Sequence, residues 1–458
     1  MSDSISDRPI LGGLPIGLDG SVELGRARVS KQLVLILIIF VASKFTFQAL
    51  FVPAYEGPDE PLHLARVVAF ADRPLRVAFD GEPVDGSIAA GIAARPCGPA
   101  LHRFGGCRSF GNEPAAFNLL KPLPKLTGGQ PSPNPENNQP PLFYFLAGML
   151  ARFATILSRS MNAPEQRLLV VRLLCVGCVL AAFLFPLRRC AAARPYSFAI
   201  AGLLVLTFPG AAEALARCAN DAPVFLWSAV VVASLPLAIP MPLVGVLLAI
   251  GPLLKQTAFP VAAFAVVWLW CDGRRRAAVV GALSAGLVFP VQLARGWRWG
   301  GNYELNRPLP AIGEAAGSMA VGIFRSLYTF LKTVFWLGEW TFFRAPLFLV
   351  VIYFLLLMAL IASSRPRSNP RAWVPHLAGA ATALVGLFVF IVANRRYFGG
   401  WGGVGGWYLW SWTPWIAVAW NDCFEVRPRA IPFLIGSTAG FSVVANWAYF
   451  VKAFAIYG

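Results

Sequence analysis

Charge is what this chain has least of. Only 13% of its 458 residues are Asp, Glu, Lys or Arg, while 57% are hydrophobic and the mean hydropathy is +0.62. Soluble globular proteins are nearer half apolar and a quarter charged. The deficit excludes a disordered chain, a secreted disulfide scaffold and an ordinary cytosolic enzyme. Histidine and cysteine are scarce as well: three His and eight Cys, widely scattered, make no metal framework. The chain has no HExxH, no Walker pattern and no internal repeat of fixed period. Acids are few, 22 against 39 Lys and Arg, which leaves a formal charge of +17. No basic aromatic module accompanies that surplus, so it reports topology and anionic-lipid contact rather than nucleic acid.

What the chain does have is apolar runs. They cover 32–52, 168–187, 196–215, 222–238, 241–254, 257–271, 277–294, 345–363, 374–393, 407–420 and 430–450. Some are short against the roughly 20 residues a spanning helix needs. Residues 1–31 carry Arg8, Arg26, Arg28 and Lys31 and read as a cytoplasmic tail before a retained first helix. Two further segments, 141–157 and 319–343, are apolar but hold internal charges: Arg152 in one, Arg325, Lys332 and Glu339 in the other. Such charges suit an interfacial amphipathic helix better than the bilayer centre. With neither segment spanning, one face receives the tail, Arg188/Arg189/Arg194, Arg274/Arg275/Arg276, Arg365/Arg367/Arg371 and Arg427/Arg429. Lys and Arg in short loops mark the cytoplasmic side. The expected class is therefore an all-α polytopic membrane protein of about 11 transmembrane helices. Its large first extracytoplasmic loop, 53–167, carries interfacial helices, and a second outer loop covers 295–344.

The most informative residues follow the first run: Glu56-Gly57-Pro58-Asp59-Glu60-Pro61-Leu62-His63-Leu64-Ala65-Arg66. Asp59-Glu60-Pro61 reads as a helix start with acids at its positive end. His63 and Arg66 then sit one turn apart, near the acids. Two adjacent carboxylates with a His and an Arg at a membrane surface can activate a hydroxyl and contact an anionic leaving group. The plain alternative is a helix cap with solvated charges. Glu60-x-x-His63 also has half the spacing of a carboxylate di-metal site, but its second copy is missing. A protein-built metal site is not expected, and a single divalent cation on the carboxylates stays open.

This loop, opening on an Asp-Glu pair after the first span, resembles the GT-C superfamily of membrane glycosyltransferases. Members of that superfamily include protein O-mannosyltransferases and the aminoarabinose transferases that modify lipid A. PDEPLHLARVVAF is also similar to the opening motif of a bacterial multispan family labelled as of unknown function and grouped with GT-C on topology. The resemblance is specific at 53–72, moderate along 136–260 and weak beyond about 300. It implies a GT-C-like catalytic module over 32–294 and C-terminal spans over 345–458. It further implies Asp59 as general base, with Glu60 beside it in acceptor or metal binding. Asn138-Gln139-Pro140-Pro141-Leu142 resembles the start of a helix lining the site, and Arg172 a recurrent arginine of the second span. Asn220-Asp221 resembles a second acidic site, and Lys255 a lysine that meets the carrier phosphate. Arg396-Tyr397 resembles a late Arg-Tyr motif, from which the Gly-rich continuation departs.

Other features have plainer readings. Asn220-Asp221-Ala222-Pro223 is by itself a good helix start, and Lys255 by itself a snorkelling lysine. Lys44, deeper in the first span, has Glu213 or the outer interface open to it. Arg395 and Arg396, before a Gly run, let backbone N–H groups approach a phosphate. Trp407, Trp410, Trp412 and Trp415 read as an interfacial belt rather than a sugar-stacking platform. Cys97 and Cys107 share the outer loop, where a disulfide is permitted. Cys175-Val-Gly-Cys178 lies within a span and reads as packing.

The functional expectation is a transferase that moves a sugar from a polyprenyl-phosphate carrier to an envelope glycan, lipid or protein outside the plasma membrane. Asp59 would act as base, and Lys255, Arg217, Arg395, Arg396 and Tyr397 would meet the donor phosphate. His63, Arg66, Gln139, Arg172, Asn220 and Asp221 would line the site. A lipid or solute transporter or flippase is the rival class. Transporters, however, usually show internal repeats and midplane charges.

Overall fold

In a computed structural model, the structure describes residues 31–52, 60–74, 86, 88, 134, 139–194, 196–300, 312–334, 346–398 and 406–457. Asp59, Cys97, Cys107 and Glu339 lie outside the described residues. The side chains of Arg395, Arg396 and Tyr397 do too.

The described chain is all-α apart from one short ribbon. Helix α1 is Lys31–Phe51, α2 Glu60–Asp72, α3 Leu142–Leu157 and α4 Pro164–Ala182. A π-helical turn, Phe183–Leu187, carries α4 into a last turn, Arg188–Ala193. Then follow α5 Ser197–Thr207, α6 Pro209–Ala216, α7 Asp221–Ser234, α8 Met241–Leu254, α9 Phe259–Cys271 and α10 Arg275–Gly300. The remainder is α11 Ile312–Val334, α12 Leu347–Ala362, α13 Trp373–Phe398, α14 Thr413–Cys423 and α15 Ala430–Tyr457. Strands β1 (Ser364–Pro366) and β2 (Phe424–Val426) pair antiparallel, Arg365 opposite Glu425.

Among the described residues, four helical stretches are long and apolar enough to cross a membrane: Val34–Phe51, Pro164–Cys190, Pro370–Val392 and Ala430–Val451. The bent pair α5–α6 makes five if it counts as one span. These helices are consistent with a multi-pass membrane protein. So are the large apolar side chains turned outward, with Leu347 75%, Leu287 71%, Phe433 69% and Leu384 68% exposed. In water such faces would aggregate; in lipid they are solvated.

Run 196–215 differs from a simple span. It breaks at Phe208, whose backbone is extended, and bends by 96°. Pro209 opens α6 and has no N–H to continue the ladder. The carbonyls freed at the break are taken by Lys44 of α1, which donates to Val205, Leu206 and Phe208 at 3.1, 2.7 and 3.2 Å. Three donors meet three acceptors, so Lys44 neither leans outward nor needs Glu213. The run 407–420 is likewise divided, into a 3₁₀ stretch Gly406–Trp412 and α14. Two of its tryptophans face inward rather than to lipid: Trp410 and Trp415 are buried, and Trp415 donates to His376 Nδ1 at 3.2 Å.

Helix α1 packs on α4, α5, α6 and α15, and α4 packs on α7. Helix α2 lies on α3. Gly148 of α3 is needed there, since a Cβ would come within 2.9 Å of the Ala71 nitrogen.

The two ends of these shared helices differ in character. One end of α7 carries Asp221; the other, about 20 Å away at 1.5 Å per residue, approaches Arg274, which donates to the Leu235 and Leu237 carbonyls. At that second end Arg194 pairs with Asp422 at 2.7 Å, and the ribbon joins the ends of α12 and α14.

Candidate active site

Helix α2 brings its acid to the middle of the packed helices. Glu60 is fully buried and grips Arg172 of α4 with both oxygens, at 2.8 Å to Nε and 2.5 Å to Nη2. The Cys218 N–H, just beyond α6, donates to Glu60 Oε1 at 2.9 Å. Arg172 also donates to the Ala49 and Val52 carbonyls at the end of α1. One ion pair thus ties α1, α2, α4 and the α6–α7 connection together. Burial alone would raise the Glu60 carboxyl. The Arg172 charge and hydrogen bonds, the Cys218 N–H and the Arg217 charge outweigh it and hold the carboxyl below its ordinary pKa.

The next layer is centred on Asp221, the first residue of α7 and buried. Its Oδ2 accepts from Arg217 at 3.2 Å and its Oδ1 from Lys255 at 2.7 Å. A carboxylate at a helix start is also favoured by the helix dipole. Lys255 gets there because α8 ends at Leu254 and the Lys255 backbone is extended. Asn220 fixes that junction by donating to the Leu254 carbonyl at 3.0 Å. The Lys255 ammonium lies 5.0 Å from the centre of the Tyr408 ring, within cation–π range.

His63 and Arg66 complete the cluster on α2. His63 Nδ1 is 2.6 Å from the Tyr144 hydroxyl of α3. Arg66 donates to the Gln139 carbonyl at 2.9 Å and lies over the Tyr144 ring at 4.2 Å. Burial, then the charges of Arg217, Lys255 and Arg66, push His63 well below the ordinary histidine range. Both effects disfavour the imidazolium form beside these cations.

Nine sequence-predicted residues thus meet: Glu60, His63, Arg66, Gln139 (by its backbone), Arg172, Arg217, Asn220, Asp221 and Lys255. Arg172 is bonded to Glu60, and Arg217 and Lys255 share Asp221, with Arg66 on the same helix as Glu60. Guanidinium and ammonium groups of this kind can meet an anion such as a phosphate. The partners seen in the structure are protein groups. Glu60 is locked to Arg172 rather than open to an acceptor, and Lys255 holds Asp221. Each oxygen of the two carboxylates accepts from a protein donor: Arg172 and the Cys218 N–H at Glu60, Arg217 and Lys255 at Asp221. Among the described residues no three His, Cys, Asp or Glu side chains are grouped to hold a metal ion. Arg395, Arg396 and Tyr397 fall in the last turns of α13.

Three contributors carried no usable sequence signal. Tyr144 sits in an apolar helix whose aromatics look alike, the Cys218 contribution is a backbone N–H, and Tyr408 is one of several aromatics in its stretch. No family model, curated protein or solved structure matches this chain.

Proposed function

We propose that this chain is an integral-membrane glycosyltransferase of GT-C type with about eleven spans and its site on the extracytoplasmic side. It takes a sugar from a polyprenyl-phosphate carrier. The acceptor hydroxyl oxygen attacks the anomeric carbon, the bond from that carbon to the phosphate oxygen breaks with inversion, and polyprenyl phosphate leaves with the electron pair. Asp59 takes the hydroxyl proton. Lys255 and Arg217 meet the phosphate by sharing their charge between it and Asp221.

The observation that carries this reading is the convergence of Asp221, Arg217 and Lys255 with His63 and Glu60 of α2, next in sequence to Asp59. Buried arginine and lysine side chains beside a proton-accepting segment are what displacement of an anionic leaving group needs. The end of α4 and α7 away from this cluster is the arginine-rich one, which supports an outward-facing site. The broken pair α5–α6 is a feature shared with transporters. Here the freed carbonyls are capped by Lys44 and line no ion path, so the enzyme reading is preferred.

The test is transfer from a polyprenyl-phosphate sugar by the purified protein in lipid vesicles. Asp59→Asn is expected to abolish transfer with folding unchanged; retained turnover would remove Asp59 from its role. Mass spectrometry of envelope glycans and lipid-linked sugars after gene deletion would identify donor and acceptor together.

A further inference from the structure

Far from this site, at the arginine-rich end of the bundle, a crevice of about 580 Å³ opens between the π-helical turn of α4 and the end of α7. Its walls are apolar: Leu184, Phe185, Pro186, Val230, Ala233 and Leu237. Arg188 and Arg189 stand at its margin with Ser234. We propose that this crevice binds one anionic phospholipid, its phosphodiester held by Arg188 and Arg189 and an acyl chain lying along the apolar walls.

The crevice exists for a covalent reason. Pro186 has no N–H to bond back to Ala182, and the helix widens into a π turn around it. Within the widened turn Phe183 packs against Phe225 of α7 while Phe185 faces outward, 70% exposed, on the rim of the crevice. The opposite wall is fixed, because Arg274 donates to the Leu235 and Leu237 carbonyls and is itself neutralised by Asp272 at 3.0 Å. The cavity is therefore built into the fold rather than opened by a ligand.

Charge selects the occupant. Arg194, six residues further on, is neutralised by Asp422. Arg188 and Arg189 are exposed, and neither has an ion-pair partner among the described residues. Two uncompensated guanidiniums above an apolar slot match a negatively charged headgroup with a hydrocarbon tail. Basic pockets between helices on the cytoplasmic side bind such headgroups. A zwitterionic lipid would bring its own cation against the arginines. This inference does not depend on the sugar-transfer reading.

The experiment is native mass spectrometry of the purified full chain, mixed with equal amounts of phosphatidylglycerol and phosphatidylcholine. The wild type is expected to retain one phosphatidylglycerol at least tenfold over phosphatidylcholine. Arg188→Gln/Arg189→Gln should erase the preference, and Val230→Phe, which fills the slot with both arginines in place, should release the lipid. Arg275→Gln/Arg276→Gln removes the same charge nearby and should change nothing. An unchanged preference in the first variant, an equal loss in the control, or displacement by glycerol 3-phosphate would each overturn the proposal. The last result would indicate a site for free phosphate.

Discussion

At the scale of single residues, the Glu60–Arg172 pair dominates because neither charge has water to fall back on. Breaking a buried pair by removing one partner costs about 3–5 kcal/mol, since the other is left charged and unsolvated. Glu60→Gln is therefore expected to lower the thermal midpoint in detergent markedly. Glu60→Gln/Arg172→Met should recover part of the loss, and an unshifted midpoint in the single variant would show that the pair is not a structural lock. That behaviour separates Glu60 from Asp59, whose substitution is expected to remove turnover alone. Sequence reading reached these residues unevenly. Counting basic loops puts Asp221 and Lys255 on the same side, and in the structure they are partners at 2.7 Å. An arginine inside an apolar run announces that some buried acid exists, but not which one. Glu60 lies 112 residues away, and nothing local to either segment names the other.

At the scale of elements, the four or five helical stretches long and apolar enough to span were legible because each coincides with an apolar run, and their breaks were not. The run 196–215 is uniformly apolar, so a hydropathy window passes over Pro209 as if the helix continued. What stabilises the bend is Lys44, more than 160 residues away, whose three bonds to main-chain oxygens no periodicity could reveal. Hydrogen bonds to a charged group are worth about 1.5–3 kcal/mol each against an unmade one. Lys44→Met should thus destabilise the fold by about 3 kcal/mol or more, read as a fall in the unfolding midpoint. It should also loosen α6, which delivers Arg217 and the Cys218 N–H to Glu60. Faster hydrogen exchange over 209–220 than over α8 would show this. Equal protection in both would mean that the bend holds without its lysine.

At the scale of the whole molecule, the division into two chemically different ends is the main result. Scarce charge is concentrated at the ends of the helices that share the core, with the Glu60–Asp221 cluster at one end and the Arg274–Asp422 region at the other. In intact cells stripped of their outer wall, a membrane-impermeant maleimide should label Ser160→Cys, which precedes α4 at the cluster end. It should label Arg276→Cys only after permeabilisation, with the unmodified chain as background. Labelling of Arg276→Cys alone from outside would invert the proposed orientation, and labelling of both would place the two ends on one side of the membrane. The Glu60–Arg172 pair also bears on how the molecule is made. An arginine costs about 2.5–3.5 kcal/mol at the centre of a membrane helix and less towards its end, and Arg172 is the ninth residue of the 27 in Pro164–Cys190. Until α2 docks, that charge lacks its buried partner Glu60. On the proposed topology α4 is expected to lodge stably only once the segment bearing the candidate site has docked, which would leave chains with an unassembled site open to quality-control proteases.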